Sequence, residues 1–377
     1  MCKKLCSLLL GACLCLCAAP SAVAAPVEVS LSSRAAVLYE PFSERTLFEK
    51  DAHVPLPMAS TTKLMTALLA AEYLPWESTI TVSEEAVRVE GSSLGLRAGD
   101  TLTARDLVTG LLHASGNDAA GAVALAVCER LDACAARMND KAAALGMQNS
   151  TFVTPSGLDA EGHAASAYDL ALLAAEVLKN PVLAEICAAE QAFIRINGVQ
   201  IAVTNHNRLL KLYPDAVGMK TGYTDLAGKC LVSAARRDGV LLIAVTLNGG
   251  DYWNDHIALY EAGFAQTEAV ALTPPALPSS AVAGGSEDRV ALVTEAFSAV
   301  LLKGEKTAVK AEVSLPHFVW APVEKGEPLG VVSYYLGDRL LGSTAIAAAK
   351  NVEERPPHGY RQRVAAWLRG LWYSLIS

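Results

Sequence analysis

The hydrophobic and polar positions divide the chain into stretches of different texture. Ala35 to Glu40 and Arg45 to Glu49 are short apolar-rich runs on either side of Pro41-Phe42-Ser43-Glu44, a pattern that predicts an antiparallel hairpin. Residues 60 to 74 hold neither Gly nor Pro and many strong helix formers, so a buried helix is expected to open at Ser60. Thr103, followed three residues later by Asp106, reads as the cap of a helix running through Leu112. Asn117 to Arg130, Cys134 to Leu145 and Ser166 to Leu178 continue the helical pattern, with Ser166 as a further cap. The middle of the chain therefore reads as mostly helix. From Ala216 the texture changes: Val217 to Thr221, Lys229 to Ala235 and Val240 to Leu247 are β-type runs separated by Gly-containing turns, as expected of three antiparallel strands in one sheet.

Those strands must pair with the N-terminal hairpin across the intervening helices, which predicts an α/β domain over residues 26–268. Residues 269–280, which include Thr273-Pro-Pro-Ala-Leu-Pro-Ser-Ser280, read as a linker, and 281–352 alternate Val-rich runs with Gly turns as a small all-β domain does. In the last segment, 356–377, Val364, Trp367, Leu368, Leu371, Trp372 and Leu375 form one helical stripe. Arg361, Arg363 and Arg369 supply its charge, and no acid follows Glu354. Such an amphipathic helix suits the interface of a bilayer, the competing reading being a helix packed on its own protein. At the other end, Lys3 and Lys4, an apolar run from Leu5 to Ala19 and Ala22-Val23-Ala24 read as a signal peptide over 1–25. The run is shorter than the ~20 residues of a spanning helix. Leu10-Gly11-Ala12-Cys13 resembles a lipoprotein processing site, the weaker reading because only six apolar residues precede it. The expected location is outside the cytoplasmic membrane, peripherally anchored on its outer face.

At 377 residues, with 52% hydrophobic and 19% charged positions, the chain can build more than one core. A net charge of -8 with scattered cations argues against nucleic acid, which requires a basic face. Five of the nine cysteines lie in the signal segment. Cys128, Cys134, Cys187 and Cys230 form no CxxC pair and have no histidine nearby, so their spacing is not that of a zinc site. A Cys128–Cys134 bridge is open to them, buried free thiols being the preferred expectation.

Three short elements carry chemistry. Ser60-Thr61-Thr62-Lys63 sets a hydroxyl and an amine on one helical face, where an amine kept neutral by burial can take the serine proton during attack. Ser115-Gly116-Asn117 lies between two helices, and its glycine allows an unusual backbone that turns polar side chains into a cleft. Lys220-Thr221-Gly222 lies on a strand, where the lysine and hydroxyl can meet a carboxylate and Gly222 lets a substrate backbone approach. Alone, each has a plain structural reading: a capped helix with a surface lysine, a capped turn, an edge-strand lysine. Each occurs once, and they follow in this order.

That triplet is the signature of class A β-lactamases and penicillin-binding proteins. Glu90-Gly-Ser-Ser-Leu-Gly-Leu-Arg-Ala-Gly-Asp100, Ser115-Gly-Asn-Asp-Ala-Ala120, Met138-Asn-Asp-Lys141, Thr154-Pro-Ser-Gly-Leu158 and Gly218-Met-Lys-Thr-Gly222 further resemble the low-molecular-mass penicillin-binding proteins of the D-alanyl-D-alanine carboxypeptidase family, over about residues 30 to 265. The resemblance implies a β-lactamase/transpeptidase-like catalytic domain, with the small β domain and amphipathic helix behind it. It implies a serine acyl-enzyme acting on peptidoglycan stem peptides that end in D-Ala-D-Ala, covalent inhibition by β-lactam antibiotics, and neither metal nor cofactor. Carried over by motif, Ser60 attacks the penultimate carbonyl, Lys63 is the general base, and Ser115 with Lys220 passes a proton to the leaving D-alanine. Asn117 holds the substrate amide, Thr221 and Lys220 receive the carboxylate, and the N–H groups of Ser60 and Tyr223 form the oxyanion hole.

Two stretches depart from the family pattern. Where many relatives carry arginines, this chain has Asn205-His206-Asn207 and Gly249-Gly-Asp-Tyr-Trp-Asn-Asp-His256, leaving Arg208 or His256 to stand in for them. The second stretch resembles sporulation-associated members. A class A β-lactamase is the nearest rival, but it needs a glutamate to activate water, and the Glu-x-x-x-Asn pattern expected between Ser115 and Lys220 is missing. A catalytically silent stem-peptide-binding protein is the rival from another class.

Overall fold

The strand that organises the molecule is β1 (Ala35–Glu40), all six of whose residues are buried. The computed structural model describes residues 29–356 and 359–375; the segment read as a signal peptide lies outside them. β1 pairs with β2 (Arg45–Lys50), the expected hairpin, and on its other side with the last strand of the sheet. β3 (Ala216–Thr224), β4 (Gly228–Arg237) and β5 (Val240–Gly249) complete an antiparallel sheet in the order β2-β1-β5-β4-β3. A central strand covered on both faces needs apolar residues at both parities. Ala35, Val37 and Tyr39 enter the larger core, whereas Leu38 enters a second core with Leu259 and Tyr260.

The larger core is filled by α1 (Lys63–Tyr73), α2 (Ala104–His113), α3 (Asn117–Cys128), α4 (Leu131–Ala144), α5 (Ala167–Lys179) and α6 (Pro181–Ala188). The other face is closed by α7 (Tyr252–Gln266). Both expected caps form: Thr103 Oγ1 accepts from Asp106 N at 3.0 Å and Ser166 Oγ from Asp169 N at 3.1 Å. The middle of the chain is less uniformly helical than its pattern suggests. Gln191–Ile196 and Val199–Thr204 pair as a hairpin, turning at Asn197 and Gly198 with φ of 52° and 77°. Asn-Gly is the dipeptide that tolerates both left-handed positions of such a turn.

The expected linker from 269 is also corrected. Thr267–Leu272 follows α7 directly and pairs with Phe297–Leu302. Its Val270 and Leu272 are buried while Ala269 and Ala271 are exposed, an alternation that belongs to a strand, and the prolines begin only at Pro274. Beyond it lie a three-stranded sheet (Arg289–Val290, Ser280–Ala283, Phe318–Trp320) and a four-stranded one (Leu292–Thr294, Arg339–Ala348, Pro328–Leu336, Val309–Ser314). The Arg45 guanidinium meets Glu305 at 2.9 Å and joins the first hairpin to this β region.

α8 (Gly359–Leu375) has two working faces. Gly370 is buried against Trp320, Tyr373 stacks on Phe318 with ring centroids 6.0 Å apart, and Arg369 lies 3.9 Å from Asp288. On the other side Trp367, Leu368, Leu371, Trp372 and Leu375 are exposed. Among the described residues no helix is long and apolar enough to cross a membrane.

β3 carries a bulge between Ala216 and Gly218, and Gly218 has φ of 94°. A Cβ there would fall 1.8 Å from the carbonyl oxygen of Cys187. Gly218→Ala should therefore lower the unfolding free energy by roughly 2–3 kcal/mol. Urea denaturation would show this as a lower midpoint with an unchanged slope, and an unaltered midpoint would mean that the bulge relaxes freely.

Candidate active site

The helix expected to open at Ser60 opens three residues later. Ala59–Thr62 form a 3₁₀ turn and α1 begins at Lys63. Thr61 Oγ1 donates to the Met58 carbonyl at 2.7 Å and Thr62 Oγ1 to the Ala59 carbonyl at 2.8 Å, tightening the turn, with Ala59 at φ of 49°. Ser60 is thus half-buried at the head of α1, while Lys63 is completely buried.

Lys63 Nζ lies 2.8 Å from Ser60 Oγ, 2.7 Å from Asn117 Oδ1 and 2.6 Å from the Ser156 carbonyl oxygen. Burial, and after it the charge of Lys220, holds Lys63 well below its ordinary pKa, against a weaker pull from Asp118. A neutral amine has two N–H donors and one lone pair. Asn117 and Ser156 can only accept, so they take the two donors, and the lone pair is left to accept the Ser60 hydroxyl proton. That is the geometry of a nucleophile with its base in place.

Ser115, at φ of 58°, joins α2 to α3, and Gly116 is the N-cap of α3. A Cβ on Gly116 would fall 2.6 Å from Asp118 Oδ1 and 2.9 Å from Leu94 N. Asn117 Nδ2 donates to the Glu90 carbonyl at 2.5 Å. Asp118 was not singled out by its sequence, yet its buried carboxylate accepts from Ser93 Oγ and from the backbone N–H groups of Leu94, Gly95 and Leu96, all within 2.9 Å. It ties the loop that follows Glu90 to the head of α3. The available signal was an acid one residue inside a helix that opens on Gly-Asn.

Ser156 was missed as well, because it acts through a backbone carbonyl that no side chain announces. It is positioned by Thr66 Oγ1, which donates to the Pro155 carbonyl at 2.6 Å, and by Gly157 at φ of 85°, where a Cβ would fall 1.9 Å from the Ala59 carbonyl oxygen. His163 fastens the same loop: Nδ1 accepts from Val153 N at 2.9 Å, and Nε2 faces Thr62 Oγ1 at 2.9 Å. Burial lowers its pKa to about 4, so it is neutral and Nδ1 is free to accept.

On β3, the outer strand of the sheet, Gly222 lies flat against the nucleophile turn, and a Cβ there would come within 2.9 Å of Ser60 N. Lys220 is buried and donates to the Thr221 carbonyl at 2.9 Å. Burial brings its pKa down to about 7, with Cys187 opposing. Tyr223 is exposed, its hydroxyl 3.0 Å from Asp225 Oδ1. Neither the Ser115 nor the Thr221 hydroxyl is hydrogen-bonded within the described protein, so both are available to a ligand. Ala59, Ser115 and Met219 are non-glycine residues at positive φ, and each adjoins or belongs to one of the three motif elements.

His256 does not serve the cleft. It is buried on α7, with Nδ1 2.6 Å from Ser233 Oγ and Nε2 2.9 Å from Thr246 Oγ1, and burial lowers its pKa to about 3. Arg208 is exposed. The four cysteines outside the signal segment are free thiols.

Fold and site together define a serine hydrolase that works through an acyl-enzyme with a lysine base, on an antiparallel sheet backed by helices. The D-alanyl-D-alanine carboxypeptidase profile matches residues 20–251, and that of the penicillin-binding protein 5 C-terminal domain matches 277–354. D-alanyl-D-alanine carboxypeptidase DacF of Bacillus subtilis is 32% identical over 370 residues, 93% of this chain and 95% of that protein. DacC of Escherichia coli is 32% identical over 360 residues, 89% of each. Penicillin-binding protein 5 of Haemophilus influenzae superposes with a TM-score of 0.65 at 26% identity, covering 87% of this chain and 99% of that one. The chain belongs to the D-alanyl-D-alanine carboxypeptidase family.

The buried Lys220 makes stability depend on pH. Its folded pKa of about 7 lies below the ordinary 10.5, so between those values the unfolded chain binds a proton that the folded chain does not. Stability therefore falls by about 1.4 kcal/mol per unit as pH drops through that window, and levels off below it. Lys220→Met should remove this component, giving a shallower change in unfolding free energy between pH 10 and pH 7 than the parent shows. Parallel slopes in denaturant titrations of the two proteins would show that the lysine stays charged in the fold.

Proposed function

We propose that this protein removes the terminal D-alanine from peptidoglycan stem peptides through an acyl-enzyme on Ser60. The carrying observation is the Lys63 amine 2.8 Å from Ser60 Oγ, with its other two contacts made to oxygens. As Ser60 Oγ bonds to the penultimate carbonyl carbon, its proton passes to Lys63 Nζ. The oxyanion forms against the N–H groups of Ser60 and Tyr223. Collapse breaks the peptide bond, and the proton held by Lys63 passes through Ser115, assisted by Lys220, to the leaving nitrogen, which restores the neutral Lys63 amine. Water then gives a proton to Lys63 as it attacks the acyl carbonyl, and collapse releases the shortened peptide as Ser60 Oγ takes that proton back.

Asn117 has Oδ1 on Lys63 and one Nδ2 hydrogen on Glu90, so a single hydrogen is left for a substrate carbonyl. Thr221 and Lys220 meet the terminal carboxylate, and Gly222 admits the peptide backbone. No carboxylate of the described residues hydrogen-bonds to Ser60 or Lys63, and Asp118 is committed to its loop. This favours slow loss of a β-lactam adduct over β-lactamase action. Ser60→Ala should abolish both D-alanine release from a pentapeptide and covalent penicillin labelling while the protein stays folded. Mass spectrometry of the intact protein and of the peptide products reads both, and a labelled mutant would refute the assignment.

The same reading places the protein outside the cytoplasmic membrane, exported by its first 25 residues and held by α8. The exposed Trp367, Leu371 and Trp372 support this, since burying three such side chains contributes roughly 1.5–3 kcal/mol each. Replacing all three with serine should weaken binding to phosphatidylglycerol vesicles by at least about a hundredfold without changing turnover of a soluble peptide. Undiminished sedimentation with vesicles would leave α8 as a packing element only.

A further inference from the structure

We propose that Asp159 is a positioning residue for the oxyanion hole: its carboxylate straps the Tyr223 end of β3 to the loop that rests on the nucleophile turn. The inference rests on the acyl-enzyme reading above and adds to it the device that holds one donor of the hole in place.

β3 is the outer strand of the sheet, so β4 alone holds it by a ladder, and no strand lies along its other edge. The last pairs of that ladder, Tyr223 with Lys229 and Thr224 with Gly228, adjoin the turn between the two strands. A strand end held on one side only is where local opening costs least. It is there that the Tyr223 N–H must meet a charge that develops only in the transition state.

Thr224 supplies a second attachment. Its Oγ1 accepts from Ala227 N at 3.0 Å and lies 2.9 Å from Asp159 Oδ1. A hydroxyl has a single proton, and a carboxylate can only accept. With Ala227 N–H already donating to it, the Thr224 hydroxyl commits that proton to Asp159. The bond joins residues 65 positions apart, and its ionised acceptor makes it stronger than a neutral pair.

Asp159 is itself held against the site. Thr154 Oγ1 accepts from Gly157 N at 3.1 Å and donates to the Leu158 carbonyl at 3.2 Å, which fixes the segment before it. Gly157 packs on Ala59, where a Cβ would fall 1.9 Å from the carbonyl oxygen, and Gly222 packs on the next residue, where a Cβ would fall 2.9 Å from Ser60 N. The contacts therefore run in a closed ring, from the nucleophile turn through Gly157, Asp159, Thr224 and Gly222 back to the same turn. Ser60 N and Tyr223 N both lie on it, so its closure sets their separation. Opening the ring at Asp159 leaves Ser60 anchored by its own turn and frees the Tyr223 end. The loss falls on the oxyanion and not on the bound ground state. Acylation and deacylation pass an oxyanion at the same point, so both slow together and KM holds.

The test follows D-alanine release from diacetyl-L-Lys-D-Ala-D-Ala and, separately, the rate of Ser60 acylation by benzylpenicillin, read by intact mass. Asp159→Ala should lower kcat and the acylation rate by roughly five- to twentyfold, with KM changed less than about twofold and the thermal midpoint within a few degrees of the parent's. Thr224→Val should do the same, and the double variant should be no slower than either single one. Asp159→Asn keeps an acceptor oxygen and should recover most of the loss. Parental rates in Asp159→Ala, a change confined to KM, additive losses in the double variant, or an asparagine variant as slow as the alanine one would each overturn the proposal. If the unmodified protein releases no D-alanine, the carboxypeptidase reading fails, and the penicillin rates still decide the strap by the same comparisons.

Discussion

A single nitrogen, Lys63 Nζ, holds together segments far apart in the chain. Its contacts reach Asn117, 54 residues away, and Ser156, 93 residues away, besides Ser60 on its own turn. A lysine this deeply buried cannot stay charged without large cost, and a neutral amine is worth burying only if both N–H groups find acceptors. Much of the surrounding structure exists to supply them. Asp118 ties down the loop whose Glu90 carbonyl holds the Asn117 side chain. Thr66 and His163 fasten the segment that carries Ser156. Once both donors are committed, the lone pair has only the serine to meet.

The same demand accounts for the backbone strain. Ala59, Ser115 and Met219 occupy positive φ next to or within the elements that converge on the site. Such positions cost roughly 1–3 kcal/mol each unless the surroundings over-determine them. Here they do. Gly222 leaves no room between β3 and the nucleophile turn, Gly157 none between the Ser156 loop and Ala59, and Gly218 none between β3 and the end of α6. Close backbone approach at these glycines replaces adjustable side-chain contact with fixed geometry, which a preorganised oxyanion site requires.

What the chain's pattern revealed and what it hid follow from the same physics. Ser60, Lys63 and Asn117, which the fold joins through one amine, were legible because polar side chains stand at characteristic spacings in the chain. The strands were legible because β4 and β5 must be apolar on both faces. The Ser156 carbonyl was not, since any residue type offers one, and its position depends on a glycine packing against a carbonyl elsewhere in the chain. Asp118 looked like an ordinary helix-start acid. The hairpin at Asn197-Gly198 carried a readable turn that its short, half-exposed strands concealed. His256 suggested itself by chemistry alone, and only its position on α7, bonded to Ser233 and Thr246, shows that it is structural.

The β region and α8 extend this rigidity away from the site. Thr267 leaves α7 straight into a strand with no free hinge between them, and Arg45 reaches Glu305 from the first hairpin. α8 in turn sits on that region through Gly370, whose missing side chain lets the helix lie close to Trp320, and through Tyr373 on Phe318. Its apolar stripe is therefore not the surface of a loose tail. The inner face is occupied by protein, so the outer one is presented from a fixed platform. In the proposed anchoring, packing rather than a flexible tether then sets how the cleft is oriented toward the wall above the membrane, and a fixed orientation suits an enzyme whose substrate is itself an immobile polymer.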